Sequence, residues 1–360
     1  MKSLKSILAL SFLYFTASSL LVSSYGLDPK NFNKDIKTVV VSHNGKGHFR
    51  TIQEAVDSVP SGNKQWIRIY LKHGTYNEKV VIPKEKQKII MQGNNAAKVV
   101  IQYNDAGQSN SSGPFIVHAE YFVAIKITFK NTNIKITPII PYLAIKVAPA
   151  IILTADKAWF YGCSFISVQD TVADFLGRHY FKNCYIEGAI DFIWGQGQSI
   201  YQNCVIYVRG ITKDIVKKDG MLPGCITAQG RESEKDTSGF VFNNCKIQGD
   251  GEAYLGRAWR AYSRVIFYGT DMSNVVVPRG WDAWDFKQGV NFDLPKNTQI
   301  RDKLTYAEVN CTGEGADKKG RVGWEKNLSV KDVVSLIDFK TFIDEDGWMA
   351  TLPSFLGSFI

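Results

Sequence analysis

A four-residue corner recurs along this chain at a spacing near 20, and that spacing constrains the fold more than any other feature. Cys163, Cys184 and Cys204 lie 21 and 20 residues apart, and Cys245 follows after 41, or two such steps. Their contexts match: Phe160-Tyr161-Gly162-Cys163, Phe181-Lys182-Asn183-Cys184, Tyr201-Gln202-Asn203-Cys204 and Phe242-Asn243-Asn244-Cys245. The same pattern without cysteine reads Phe129-Lys130-Asn131-Thr132 and Phe267-Tyr268-Gly269-Thr270. Asn or Gly before the marked residue suits a sharp corner with an unusual backbone angle. Short apolar runs at this period, with almost no helical pattern, read as a solenoid of short strands. A single coil cannot bury its apolar side, so neighbouring coils stack about 4.8 Å apart.

The cysteines then form an inward ladder of free thiols, because stacked strands hold their side chains parallel rather than turned towards one another. Cys225 lacks the repeated context, and Cys311 is left unassigned. Helical spacing of Ile52, Ala55 and Val56 predicts a short helix over residues 51–59 that closes the N-terminal end. Ser329 predicts the cap of a last helix over residues 330–337. A β-sandwich is the runner-up, but it leaves matching corners at a fixed period unexplained.

The first residues read as an export signal: Lys2 and Lys5, an apolar run over residues 7–21, then small Ser24 and Gly26. The run is short for a membrane span of roughly 20 residues. A signal peptide over 1–26 followed by one domain over 27–360 is the expected organisation, with secretion to the cell wall. The formal charge is +9, or +7 without Lys2 and Lys5. A basic exported surface points to an anionic polysaccharide, and no nucleic-acid or membrane motif argues otherwise. Export makes Asn110, Asn310 and Asn327 glycan acceptors, Asn310 being the weakest because Cys311 follows it.

The repeat also aligns two carboxylates. Asp170 lies seven residues after Cys163, and Asp191 lies seven after Cys184. Equivalent coils put them roughly 5 Å apart. Two carboxylates that close resist ionising together, which supplies a proton donor beside a nucleophile or base. Residues alone leave catalysis and a decorative polar turn evenly matched. Arg257 offers a planar fork for a carboxylate. Gln169 and Gln229 are candidate donors to oxyanion charge, and Trp194 and Trp259 are candidate stacking surfaces for sugar rings. His179 reads as a turn filler. The histidines show no metal-ligand spacing, so no metal or cofactor is implied.

Together these motifs resemble the plant pectinesterases, over about residues 38–353. They include Gly74-Thr75-Tyr76-Asn77-Glu78, Gln169-Asp170-Thr171, Asp191-Phe192-Ile193-Trp194-Gly195, Ile226-Thr227-Ala228-Gln229-Gly230-Arg231 and Leu255-Gly256-Arg257-Ala258-Trp259. The resemblance implies a right-handed parallel β-helix that acts on methyl-esterified homogalacturonan as a monomer, with a proteinaceous inhibitor as a further partner. It implies Asp191 as nucleophile, Asp170 as acid and then base, Arg257 as partner of Asp191, and Gln169 as oxyanion donor. Trp259, Trp194 and Gln229 would face the substrate. The inhibitor-like pro-region of many relatives has no counterpart here.

Three positions depart from the family pattern. Val147 stands where relatives carry an oxyanion-hole Gln, Ala173 where they carry a substrate-side Tyr, and Trp194 where they carry Phe. The segment 134–146 is unusually apolar. Loss of one oxyanion donor costs about 3 kcal/mol in well-studied hydrolases. A slow esterase, an enzyme of altered preference and a pectin-binding wall protein without turnover therefore all remain open. Pectin lyase and polygalacturonase are the other enzyme classes with comparable Asp and Arg chemistry.

Overall fold

The computed structural model describes residues 36–133, 145–210, 223–284 and 299–359. The leader expected over 1–26 and most of the apolar segment 134–146 lie outside the described residues. The compact unit Ile36–Ile360 is built of three parallel sheets. Among the described residues sheet A has ten strands, and sheets B and C have eight each. One coil runs through Ala158–Tyr161 in A, Ser164–Ile166 in B and Val172–Asp174 in C, then re-enters A at Arg178–Lys182. The next coil pairs in register, Phe160 with Phe181 and Phe165 with Ile186. The fold is the right-handed parallel β-helix expected from the repeat and the resemblance.

The A-to-B corner explains the cysteine spacing. Lys126, Gly162, Asn183, Asn203, Asn244, Gly269 and Asn310 all take left-handed backbone angles there. Gly and Asn bear that conformation at least cost. The residue after each turns inward, and all six cysteines are free. Cys184 donates to the Phe160 carbonyl at 3.5 Å, and Cys245 to Tyr201 at 3.2 Å, each one coil back. Cys311 does the same to Phe267 at 3.4 Å and so joins the ladder. It escaped the motif because Glu308, not an aromatic, sits three residues before it; Glu308 pairs with Arg321 at 2.7 Å.

One expected corner is corrected. Phe129–Asn131 belongs to sheet B, and the corner of that coil is Lys126 and Ile127, because Ile125 pairs with Tyr161 and Phe129 with Phe165. The aromatic of the true motif stacks inside the solenoid from coil to coil. Phe160–Phe181, Phe181–Tyr201, Tyr201–Phe242 and Phe242–Phe267 have ring centroids 4.8, 4.6, 4.7 and 4.4 Å apart. These distances match the strand spacing, and burying each ring contributes about 1.5–3 kcal/mol.

The N-terminal end and one face are covered. Helix Ile52–Asp57, with Thr51 and Glu54 forming its capping box, buries Ile52, Ala55 and Val56 against the first coil. Helices Val330–Ile337 and Phe339–Phe342 belong to a C-terminal segment packed over Trp159, Tyr180, Ile200 and Val241 on the outer face of sheet A. No described helix is long and apolar enough to cross a membrane. The outer face of sheet C is where the carboxylates gather.

Candidate active site

Between sheets B and C the chain makes a second left-handed corner, occupied by aspartate. Asp170 has φ 63° and Asp191 φ 47°. That conformation costs an ordinary residue about 1–2 kcal/mol, and Asp is among the few that visit it. Gln169 bridges to Ile190, and the Asp170 N–H donates to the Ile190 carbonyl at 3.1 Å, so the two aspartates are level on adjacent coils. The Ser167 hydroxyl donates to the Ala148 carbonyl at 2.5 Å, and Thr171 to Glu187 at 2.9 Å, pinning the turn. Gly188 permits the approach: a Cβ there would lie 2.2 Å from Phe192 Cβ and 2.8 Å from Thr171 Oγ1.

Arg257 reaches Asp191 from strand Ala253–Ala258, two coils on. Its Nε donates to Asp191 Oδ1 at 2.6 Å, and its Nη2 donates to Oδ2. The fork fixes the carboxylate plane, and both side chains are nearly buried, 12% and 9% exposed. The guanidinium carbon lies over the Trp284 ring, 3.7 Å from its centroid. Cys225, on the coil between, is no rival nucleophile. Burial and the Asp191 charge push its thiol well above the usual range, and it donates to the Thr227 carbonyl at 3.2 Å.

The outer face of sheet C continues as a ladder: Ile116, Ile152, Ala173, Trp194, Ala228, Arg257, Asp282. Trp194 meets Trp259 edge to face at 5.4 Å, and Phe175 meets Trp194 at 5.4 Å. Ala173 pairs directly with Trp194, so bulk absent at 173 is supplied across the ladder and by Phe175, two residues on and on the same face. The Trp194 Nε1 finds no acceptor among the described residues.

Gln169 is half-buried beside Asp170. Val147 is half-buried too, and Ala148 after it donates to the Gln169 carbonyl at 3.2 Å. Gln229 does not line the face, contrary to expectation. It is fully buried, its side-chain Oε1 accepts from the backbone N–H groups of Arg231 and Arg264 at 3.0 and 2.8 Å, and its side-chain Nε2 donates to Ser238 at 3.3 Å. An inward position on its strand makes it a brace for the turn. His179 is buried as well, with Nδ1 2.5 Å from Asp174 and Nε2 2.7 Å from the Ala155 carbonyl. Burial pulls its pKa down, but the Asp174 charge and hydrogen bond outweigh that and raise it. Phe175, Asp282 and Trp284 went unnoticed in the sequence; the one available signal was the Trp281-Asp282-Ala283-Trp284 spacing.

Two level carboxylates, one locked by a guanidinium, suit a nucleophile beside an acid/base group. Comparisons with known proteins identify the family. The family model described as Pectinesterase matches residues 38–346. The chain is 41% identical to putative pectinesterase 10 of Arabidopsis thaliana, covering 88% of each chain. It is 42% identical to probable pectinesterase 55 of the same plant, covering 88% of this chain and 91% of that one. Among solved structures it superposes on the pectin methylesterase from carrot with a TM-score of 0.72 and 29% identity, over 88% of this chain and 96% of the other. Match and geometry together place the chain in the pectinesterase family.

Proposed function

We infer that this protein is a carboxylic ester hydrolase that removes methyl groups from homogalacturonan, releasing methanol and leaving galacturonate carboxylates. The observation that carries the reading is the Arg257 fork on Asp191, with Asp170 level on the adjacent coil. Asp191 attacks the ester carbonyl carbon, while Gln169 donates to the oxyanion that forms. Collapse breaks the bond to the methoxy oxygen, Asp170 gives that oxygen its proton, and methanol leaves an acyl-enzyme anhydride. Asp170, now a base, takes a proton from water; hydroxide attacks the anhydride and restores Asp191. Arg257 keeps the Asp191 plane fixed throughout. The partly exposed Trp259 ring offers a stacking surface for the sugar chain, backed edge to face by the buried Trp194.

The reading extends to export to the cell wall after removal of residues 1–26. It includes a monomeric state, sensitivity to a proteinaceous inhibitor, and glycans at the exposed Asn110 and Asn327. Val147 supports a second reading, a pectin-binding wall protein of the same fold with little turnover, because valine has no proton for an oxyanion. Methanol release from methylated homogalacturonan decides between them. The control is Asp191→Asn, since Asn also bears the left-handed backbone that Ala would strain. Release well above the control supports the esterase. Release equal to the control, with pectin still retained by both proteins, establishes the binding reading instead.

A further inference from the structure

The environment of Arg257 is more elaborate than an ion pair requires. Strand Trp281–Asp282 is the last of the described strands of sheet C, and it pairs Asp282 beside Arg257. Trp281 points into the core, fully buried and stacked on Tyr306 at 4.5 Å. Alternation along the strand therefore turns Asp282 to the outer face, next to the guanidinium. Asp282 is 6% exposed, and its Oδ1 accepts the Trp284 backbone N–H at 2.7 Å. Trp284 has φ 64°, a left-handed angle that bulky residues rarely adopt and that persists only where the surroundings impose it. The outcome of that conformation is an indole lying 3.7 Å from the Arg257 guanidinium.

We propose that Asp282 and Trp284 are positioning residues: Asp282 holds the turn that lays the Trp284 ring on Arg257, and the ring holds the guanidinium in the plane that Asp191 needs. This rests on Asp191 and Arg257 being the reactive pair of the proposed esterase. The edge of the guanidinium is used by Asp191, so the ring engages the remaining feature, its face. Water on that face would leave the long side chain free to rotate out of the plane. The ring thus fixes orientation before substrate arrives, which is where an enzyme gains rate without gaining affinity.

Two readouts test this. With methylated homogalacturonan, Trp284→Leu is expected to lower kcat about tenfold with KM within about twofold, whereas Trp284→Phe keeps kcat within about threefold of wild type. Independently of turnover, the Arg257 Nε–H signal in 15N NMR, assigned with Arg257→Lys, reports how firmly the guanidinium is held. Its solvent exchange should be slow in wild type and Trp284→Phe, and at least about tenfold faster in Trp284→Leu and Asp282→Ala. A raised KM with unchanged kcat would mean that Trp284 stacks on sugar, and unchanged Arg257 exchange would mean that it positions nothing; either overturns the proposal. If wild type releases no methanol, the proposed activity fails, while the exchange measurement still decides whether Arg257 is held in this way.

Discussion

A single methyl group at Gly188 is expected to slow turnover far more than it loosens the fold. An ideal Cβ at that position lies 2.2 Å from Phe192 Cβ, 2.5 Å from Phe192 Cγ and 2.8 Å from Thr171 Oγ1. Ordinary contact begins near 3.4 Å, so in a close-packed interior the neighbours must retreat by about 1.2 Å. Those neighbours are not arbitrary. Phe192 follows Asp191 and Thr171 follows Asp170, so the retreat shifts the two carboxylates relative to each other. Overpacking of this kind costs about 1–3 kcal/mol of stability, while a misplacement near 1 Å costs up to about a hundredfold in rate. Gly188→Ala should therefore fold, melt somewhat earlier, and show kcat reduced about 30- to 100-fold with KM little changed. Gly323→Ala, where a Cβ meets nothing within 4 Å, is the matched control and should behave as wild type. Initial rates of methanol release beside thermal unfolding of each variant provide the measurement. A folded Gly188→Ala with kcat within twofold of wild type would refute the claim that glycine sets the spacing of the carboxylates.

Three further outcomes are expected. Val147→Gln should raise kcat about tenfold or more over Val147→Ala by adding a donor near Gln169, with KM unchanged, and no gain in a folded protein would remove oxyanion donation as the limit. The raised pKa of His179 means that its pairing with Asp174 stabilises the fold fully below the ordinary imidazole value of about 6.5 and loses that contribution as pH rises through the folded value. The melting deficit of His179→Gln should accordingly be larger at pH 5 than at pH 8, and a deficit that grows with pH would contradict the assignment. Binding to de-esterified pectin should weaken between low salt and about 0.1 M salt, where exposed charges are screened beyond about 10 Å, whereas salt-independent retention would place the affinity in stacking and hydrogen bonds.

The sequence made the solenoid legible because its A-to-B corner is constant: an aromatic, one spacer, a residue that bears left-handed angles, then a small inward side chain. Where one element changes, the motif misleads. Phe129 heads a run that imitates the corner but sits five positions late, and Cys311 hides behind Glu308. The aspartates were legible for the same reason, since strands Val172–Asp174 and Ile193–Gly195 each begin nine residues after the marked cysteine. Arg257 was not reachable by counting. The next strand of sheet C, Gly224–Gln229, begins 20 residues after Cys204, and Ala253–Ala258 begins eight after Cys245. Unequal excursions between B and C erase the offset, so only chemistry and resemblance could bring that arginine to Asp191. Trp284 and Asp282 lie after a further unequal excursion and carry no repeat signal. Gln229 misled for a different reason: one position along a strand reverses the face it serves.

Corner aspartates admit a bland explanation, because Asp tolerates the left-handed angle much as Asn does at the A-to-B corner. Their setting argues against it. Asn183, Asn203 and Asn244 are exposed, whereas Asp170 and Asp191 are 6% and 7% exposed and stand on adjacent coils. Two carboxylates about 5 Å apart would repel by about 3 kcal/mol at an effective dielectric constant near 20 if both ionised, and otherwise one must hold a proton at neutral pH. A corner selected only for its shape would carry Asn and avoid that cost. Asp170→Asn keeps the backbone preference and removes a group that must either hold a proton or ionise beside Asp191, so it should melt at a higher temperature than wild type while releasing no more methanol than Asp191→Asn. A lower melting temperature would show that Asp170 serves the fold, and the decorative reading of the corner would regain its place.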